Sequence, residues 1–236
     1  MSSYGLEPND VLARLAAIRF DEHDLTGVLS KVAHLAQEAL PGASEVSVTL
    51  VRNQKPFTAV HTGERCLALD EVQYTEGHGP CVDVAQASGT VLVSDMGSET
   101  RWPRFSARAV ELGMSSSLSL ALPIQQALVG ALNVYGEQRD AFDSSAIDLA
   151  VSFAGYAAVA VANAHLFETT QSLAENMKIA MDSRAAIEQA KGIIMCREGV
   201  DEATAFGRLS TTSQNTNRKL REVAADLIAE VVQPSH

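Results

Sequence analysis

Arg218, Lys219 and Arg221 fall within four consecutive positions of a chain whose formal net charge is −11. Just before them stand Ser213, Gln214, Asn215, Thr216 and Asn217. Cations beside short hydrogen-bonding side chains and an exposed helix start suit phosphates and base edges. The positions sharpen the point. If Leu220 to Val231 face a core, the three cations point outward or sideways in the first turn of the last helix. The helix dipole disfavours an exposed cation there by about 0.3–1 kcal/mol. Selection for stability alone would place Asp or Glu at these positions, so an anionic ligand is expected. The alternative is a solvated charged face balanced by Glu222.

A second group of reactive types lies in the N-terminal half. Cys81 follows His78 in GHGPC. A thiol reacts as thiolate and needs access, so Cys81 is either a redox centre or a small buried hydrophobe. An enzyme reducing a small oxidised metabolite through Cys81 would take Cys66 as its resolving thiol. His78 is either a haem ligand or a loop residue. Trp102 is a packing anchor or a pocket wall, and Arg101 and Arg104 beside it solvate a loop. With Cys196 the thiols number three and show no metal-ligand spacing, which fits a reducing cytoplasm.

The elements that must hold these residues are legible in part. DLTGVLSKVAHLAQEAL (24–40) carries Leu25, Val28, Leu29, Val32, Leu35, Ala36 and Leu40 on one helical face, and Pro41-Gly42 stops it. SEVSVTLV, GTVLVSDM, SSLSLALPI and LVGALNVYGE read as short strands bounded by Gly, Pro or Ser. Helix, strands, then helix predicts a mainly antiparallel sheet covered by helices. One long helix, or two nearly continuous ones, follows from a cap near Ser145 and Asp148 to Gly199. Val159, Leu166, Leu173, Ala180, Ile187 and Ile194 recur in it every seventh residue, a stripe that wants a partner helix. The companion seam of Ala162, Thr169, Asn176, Ser183 and Ala190 is poor, so the stripe reads either as a weak parallel coiled coil or as a linker helix packed on its own domain. Asp201 caps a further helix with Ala203, Phe206 and Leu209 inward. The last, from about Asn217, aligns Leu220, Val223, Ala224, Leu227, Ile228 and Val231.

Charge separates two modules. From residue 178 onward eight basic residues match eight acidic ones, so the whole −11 lies before that point. An acidic body does not bind nucleic acid; a neutral tail with a basic cluster can. The N-terminus lacks a basic region followed by an apolar run, so no signal peptide is expected. LAVSFAGYAAVAVA (149–162) falls short of the roughly 20 residues of a membrane span.

The segment SRAAIEQAKGIIMCREGVDEATAFGRLSTTSQNTNRKLREVA (183–224) resembles the ANTAR family of RNA-binding antitermination regulators. The shared set is Ser183-Arg184, Ile187, Ala190-Lys191-Gly192, Met195, Ala205-Phe206, Leu209, Ser213-Gln214, Asn217-Arg218-Lys219-Leu220 and Val223-Ala224. The resemblance implies a dimer that binds paired RNA hairpins. By position it makes Lys191, Ser213, Gln214, Asn217, Arg218 and Lys219 RNA contacts, with Arg184, Arg197 and Arg221 as secondary ones. The family usually has Arg after the leucine matching Leu209; here Ser210 stands there, and Arg208 is rotated about 100° away. The segment can also be drawn as a DNA-binding helix-turn-helix starting its recognition helix near Asn217, although its connection lacks a tight Gly turn and its first helix is too long.

Residues 21–167 resemble a GAF domain through EGHGPCVDVAQASGTVLVSDM, RWPRFSARAVELGMSSSLSLALPI and VGALNVYGEQRDAFD. This implies a six-stranded sheet with helices around it, and a sensing or dimerisation role. The cyclic-nucleotide pattern is absent, since Asn133 stands without the rest of it. The expected chain is α+β: an N-terminal extension (1–20), a GAF antiparallel sheet with helices (21–167), a linker helix (145–180) and a three-helix ANTAR bundle (178–232). Its expected partners are hairpins in nascent transcripts, a second copy of itself and, indirectly, RNA polymerase. No membrane, metal, cofactor or catalysis is implied, and a small GAF ligand is left unnamed.

Overall fold

The computed structural model describes residues 10, 13–15, 17–19, 23–122, 124 and 129–232. They form two compact units, Met1–Glu168 and Thr169–His236. In the first, α1 (Leu25–Ala39) precedes β1 (Glu45–Arg52), β2 (Lys55–His61), α2 (Glu64–Glu76), α3 (Pro80–Ala87), β3 (Thr90–Val93), α4 (Pro103–Glu111), β4 (Ser116–Leu122) and β5 (Val129–Gly136). A long helix α5 (Ser144–Glu198) crosses the unit boundary, and α6 (Glu202–Thr216) and α7 (Leu220–Val232) complete the chain.

Among the described residues the sheet has five strands in the order β2-β1-β5-β4-β3, each pair antiparallel. The antiparallel class agrees with the sequence; the sixth strand implied by resemblance is not among them. Strand β2 escaped the sequence reading because KPFTAVH lacks apolar alternation and carries Pro56. It lies at the sheet edge, where proline is tolerated. Asn53 and Gln54, at φ 52° and 63°, make the tight β1–β2 turn, whose left-handed pair matches the strand twist.

The two sheet faces differ in chemistry. Val46, Val48, Leu50, Leu118, Leu120, Leu132 and Val134 point to one side and pack with Val28, Leu29 and Val32 of α1 and Phe153, Ala157 and Val161 of α5. Each large side chain so buried stabilises by about 1.5–3 kcal/mol. The alternate residues Ser47, Thr49, Ser117, Ser119 and Asn133 are buried too. Helices α2 and α3 pack on this polar side, through Thr49–Tyr74 (2.9 Å) and a cluster joining Cys81, Val84 and Ala131.

Helix α1 follows its periodicity, with Asp24 accepting from the Gly27 amide at 2.8 Å. Residues 1–20 lie mostly outside the described set, but Leu15 and Ile18 are buried against the core. For α5 the cap is Asp143 rather than Ser145: its carboxylate accepts from the Ala146 amide at 2.8 Å. By length and composition α5 could cross a membrane. Its buried Phe153, Ala157 and Val161 instead mark the core helix of a folded unit.

In the second unit, Ala190, Ile194, Ala205, Leu209 and Ala224 form a small core. Asp201 caps α6 as expected, accepting from the Thr204 amide at 2.8 Å. The inward residues are Ala205 and Leu209. Ala203 is exposed and Phe206 is 46% exposed, so the expected inward face is corrected by a rotation. Helical spacing of four joins Ala205 to Leu209, whereas Phe206 falls beside that stripe.

Candidate functional site

The stretch Ser213–Arg221 builds a turn before it builds a binding surface. Asn217 takes the left-handed conformation, φ 50° and ψ 38°. The Arg218 amide donates to the Ser213 carbonyl at 3.1 Å and the Asn217 amide to Gln214 at 3.2 Å. This pair of bonds is a Schellman motif, which satisfies the last carbonyls of α6. The Ser213 hydroxyl adds a bond to the Arg218 carbonyl at 2.5 Å. Helix α7 therefore starts at Leu220, not near Asn217, and the Lys219 carbonyl accepts from Glu222 at 2.9 Å. A left-handed residue cannot continue a right-handed helix, which corrects the boundary expected from sequence. The unfavourable first-turn position applies to Arg221 alone; Arg218 and Lys219 belong to the connection.

The candidate cations divide into two sets. Arg218 does not simply point outward: its Nη1 lies 2.6 Å from Asp226, with Glu222 at 4.0 Å from its Nε. Hydrogen bonding to Asp226 raises the guanidinium pKa further. Lys191 is only 6% exposed and its ammonium sits 2.8 Å from Glu188 and 2.5 Å from Glu202. Hydrogen bonds to those two carboxylates raise its pKa. It ties α5 to the first turn of α6. Arg208 faces Glu198 at 3.6 Å, so it does not stand in for an arginine at half-buried Ser210. Lys219, Arg221, Arg184 and Arg197 are exposed and form no ion pair among the described residues. Gln214 and Asn217 are exposed as well, and Ser213 is half-buried.

In the first unit the structure brings Cys81 next to a polar cluster that the sequence reading missed. Asp70 is fully buried and accepts from the Tyr135 hydroxyl at 2.7 Å and from Thr58 at 2.8 Å. Burial pushes its pKa up to about 6, against opposing hydrogen bonds from Ser47, Tyr135 and Thr58. Asn133 donates to Thr49 at 2.9 Å and Ser47 at 3.2 Å. The Ser117 and Ser119 hydroxyls and the Asn133 Oδ1 have no protein partner among the described residues. The available signal was the LALDEVQY segment, where Asp70 sits four residues from Cys66 on the buried stripe.

Both N-terminal thiols are fully buried. Burial, then the Asp70 charge, pushes the Cys81 thiol well above its ordinary range, and its amide donates to Gln73 at 2.8 Å. Burial raises Cys66 to about 12, and its thiol donates to the Gly63 carbonyl at 3.0 Å. The two cysteines belong to separate packing clusters, which leaves neither poised as a thiolate. His78 is exposed on a loop, and no group of three metal-ligating side chains occurs among the described residues. Trp102 is 6% exposed, donates to Asp83 at 3.0 Å and lies under the Arg101 guanidinium at 4.3 Å. It is a packing anchor. Arg101 pairs with Glu99 at 2.7 Å and Arg104 with Glu76 at 2.6 Å.

A family model described as a GAF domain matches residues 22–162, and one described as an ANTAR domain matches residues 175–228. No curated protein matches the chain. The phycoerythrobilin-bound GAF domain of a cyanobacterial phytochrome is similar at 14% identity and TM-score 0.53, covering 69% of this chain and 97% of its own. Reduced fRMsr of Staphylococcus aureus is similar at 15% identity and TM-score 0.53, over 68% and 99%. The bacteriophytochrome RpBphP3 of R. palustris is similar at 9% and 0.56, over 78% and 41%. These likenesses show the fold of the first unit alone. The family matches, in that order along the chain, show that it belongs to the GAF–ANTAR regulators, pairing a signal-sensing domain with an RNA-binding antitermination domain.

Proposed function

We propose that this chain is a cytoplasmic, homodimeric antitermination regulator that binds tandem hairpins of nascent transcripts through its ANTAR unit. The GAF unit receives the signal, and residues 145–180 of α5 couple the two. The observation that carries the reading is the exposed edge at the α6–α7 connection, where Gln214, Asn217, Lys219 and Arg221 crowd eight residues of sequence. Cations there meet phosphates, and the amides beside them supply donors and acceptors for bases. RNA polymerase is influenced only through the transcript.

The dimer draws support from α5. Val159, Leu166 and Leu173 are 60%, 65% and 60% exposed, a seven-residue repeat of apolar side chains in water. Ile187 and Ile194, the last two of the stripe, are packed against α6 and α7 of their own chain. Only the part from Val159 to Ala180 is left for a partner. Two linked RNA surfaces on two linked hairpins gain by effective concentration, so a change in their spacing would switch binding strongly.

One observation favours the DNA reading. Three residues, Asn217 to Lys219, join α6 to α7, and left-handed Asn217 does what glycine does in a helix-turn-helix connection. Both readings meet the same test. The full chain is titrated with tandem-hairpin RNA at several salt concentrations, with duplex DNA as competitor, beside the double variant Arg218→Ala/Lys219→Ala. The variant is expected to bind more weakly, its salt slope shallower by about one for each phosphate it no longer neutralises. Equal binding by both proteins moves the RNA surface elsewhere, and preferential displacement by DNA replaces this reading with the second.

A further inference from the structure

The arginine best placed by the motif is the one already occupied. Arg218 lines a groove between the end of α5, α6 and α7, together with Asp226, Glu230 and Glu198. Its guanidinium reaches along α7 to the Asp226 carboxylate at 2.6 Å, and Glu222 stands at 4.0 Å. Lys219 and Arg221, its neighbours in sequence, form no such pair among the described residues. A carboxylate and a phosphate ask the same thing of a guanidinium, namely two oxygens facing its N–H edge. Asp226 thus holds the position a phosphate would take on Arg218.

We propose that Asp226 is an internal competitor for the RNA backbone: it holds Arg218 back, and RNA engages that arginine only by displacing it. This rests on the RNA-binding reading above. The structure supports a competition that is cheap to reverse. Both side chains are about half exposed, at 46% and 58%, and an exposed pair is weak and screened by salt. Asp226 therefore lowers affinity without blocking it, and sharpens the requirement for a ligand that also meets Lys219 and Arg221. Arg208, on the same groove, is matched by Glu198 at 3.6 Å, so both arginines of the groove face an acid of their own chain.

The test is a cycle on the full-length protein: wild type, Asp226→Asn, Arg218→Ala and the two combined, each titrated with tandem-hairpin RNA at several salt concentrations. Asp226→Asn keeps shape and removes charge. It should tighten binding by roughly two- to fivefold, the span of an exposed ion pair, and the gain should vanish in the Arg218→Ala background. Asp226→Glu, which keeps the charge, should bind as wild type does, and thermal unfolding establishes that each variant is folded. Unchanged or weaker binding by folded Asp226→Asn overturns the proposal. So does an equal gain in the Arg218→Ala background, which would show a general charge effect instead. Failure of all proteins to bind RNA overturns the RNA reading itself, and this proposal with it.

Discussion

A carboxyl group buried outside any salt bridge carries its own pH dependence. Asp70 hydrogen-bonds with Tyr135, Thr58 and Ser47, all uncharged at neutral pH, and the His61 charge is the smallest of the causes that oppose its shift. Its folded pKa, about 6, lies above the ordinary 3.8. The group therefore contributes stability that is fully present below about 3.8 and lost as pH rises through about 6. That shift corresponds to a loss on the order of 3 kcal/mol. Asp70→Asn keeps the hydrogen-bond acceptor and removes the titration. Subtracting its pH–stability profile from that of wild type, by urea unfolding, should leave a decline confined to pH 4–6; a flat difference would show that Asp70 titrates normally. The same burial decides the thiols. Cys81 was visible in sequence as a cysteine, but its burial under α3's sheet-facing side depends on Val51, Val91, Ala121 and Ala131, from four strands.

Among the elements, the α6–α7 connection depends most on one residue. Asn217 adopts φ 50° because its short polar side chain tolerates a conformation that costs other side chains about 1–2 kcal/mol. Asn217→Gly should keep stability within a few tenths of a kcal/mol, and Asn217→Val should lower it by about 1–2 kcal/mol in chemical unfolding. A valine variant as stable as wild type would show that the turn is not held as described. Legibility of the other elements followed their chemistry. Helix α1 was readable because one clean apolar stripe faces one core. Helix α2 was not, because its buried face mixes Cys66 and Leu69 with Asp70 and Gln73. Burial there is achieved by hydrogen bonds from other strands, which leave no periodic apolar signal.

At the scale of the whole molecule, α5 poses the question of association. Residues 171–182 are exposed on every side, including Leu173, Met177, Ile179 and Met181. A helix so exposed lacks the tertiary packing that normally stabilises it, and the proposed dimer would supply it through a second copy. Leu166→Asp/Leu173→Asp is expected to shift the chain from dimer to monomer in light scattering, with RNA affinity for tandem hairpins falling further than for a single hairpin. A variant that stays dimeric would place the interface off this stripe. By itself the sequence determined the order of the two domains, the antiparallel class, the long helix and the motif that marks RNA binding. The helices and the antiparallel class follow from apolar periodicity, caps and residue type, which act over a few neighbours, whereas the two domains and the RNA-binding motif were read by resemblance to known families. The tertiary structure alone decided that Lys191 is committed to Glu202 and Arg218 to Asp226, that both N-terminal thiols are sealed, and that Asp70 lies beneath Tyr135. Each of these depends on partners brought together by folding across the intervening chain, and a charge or thiol has no fixed chemistry until its neighbours and its exposure to water are set.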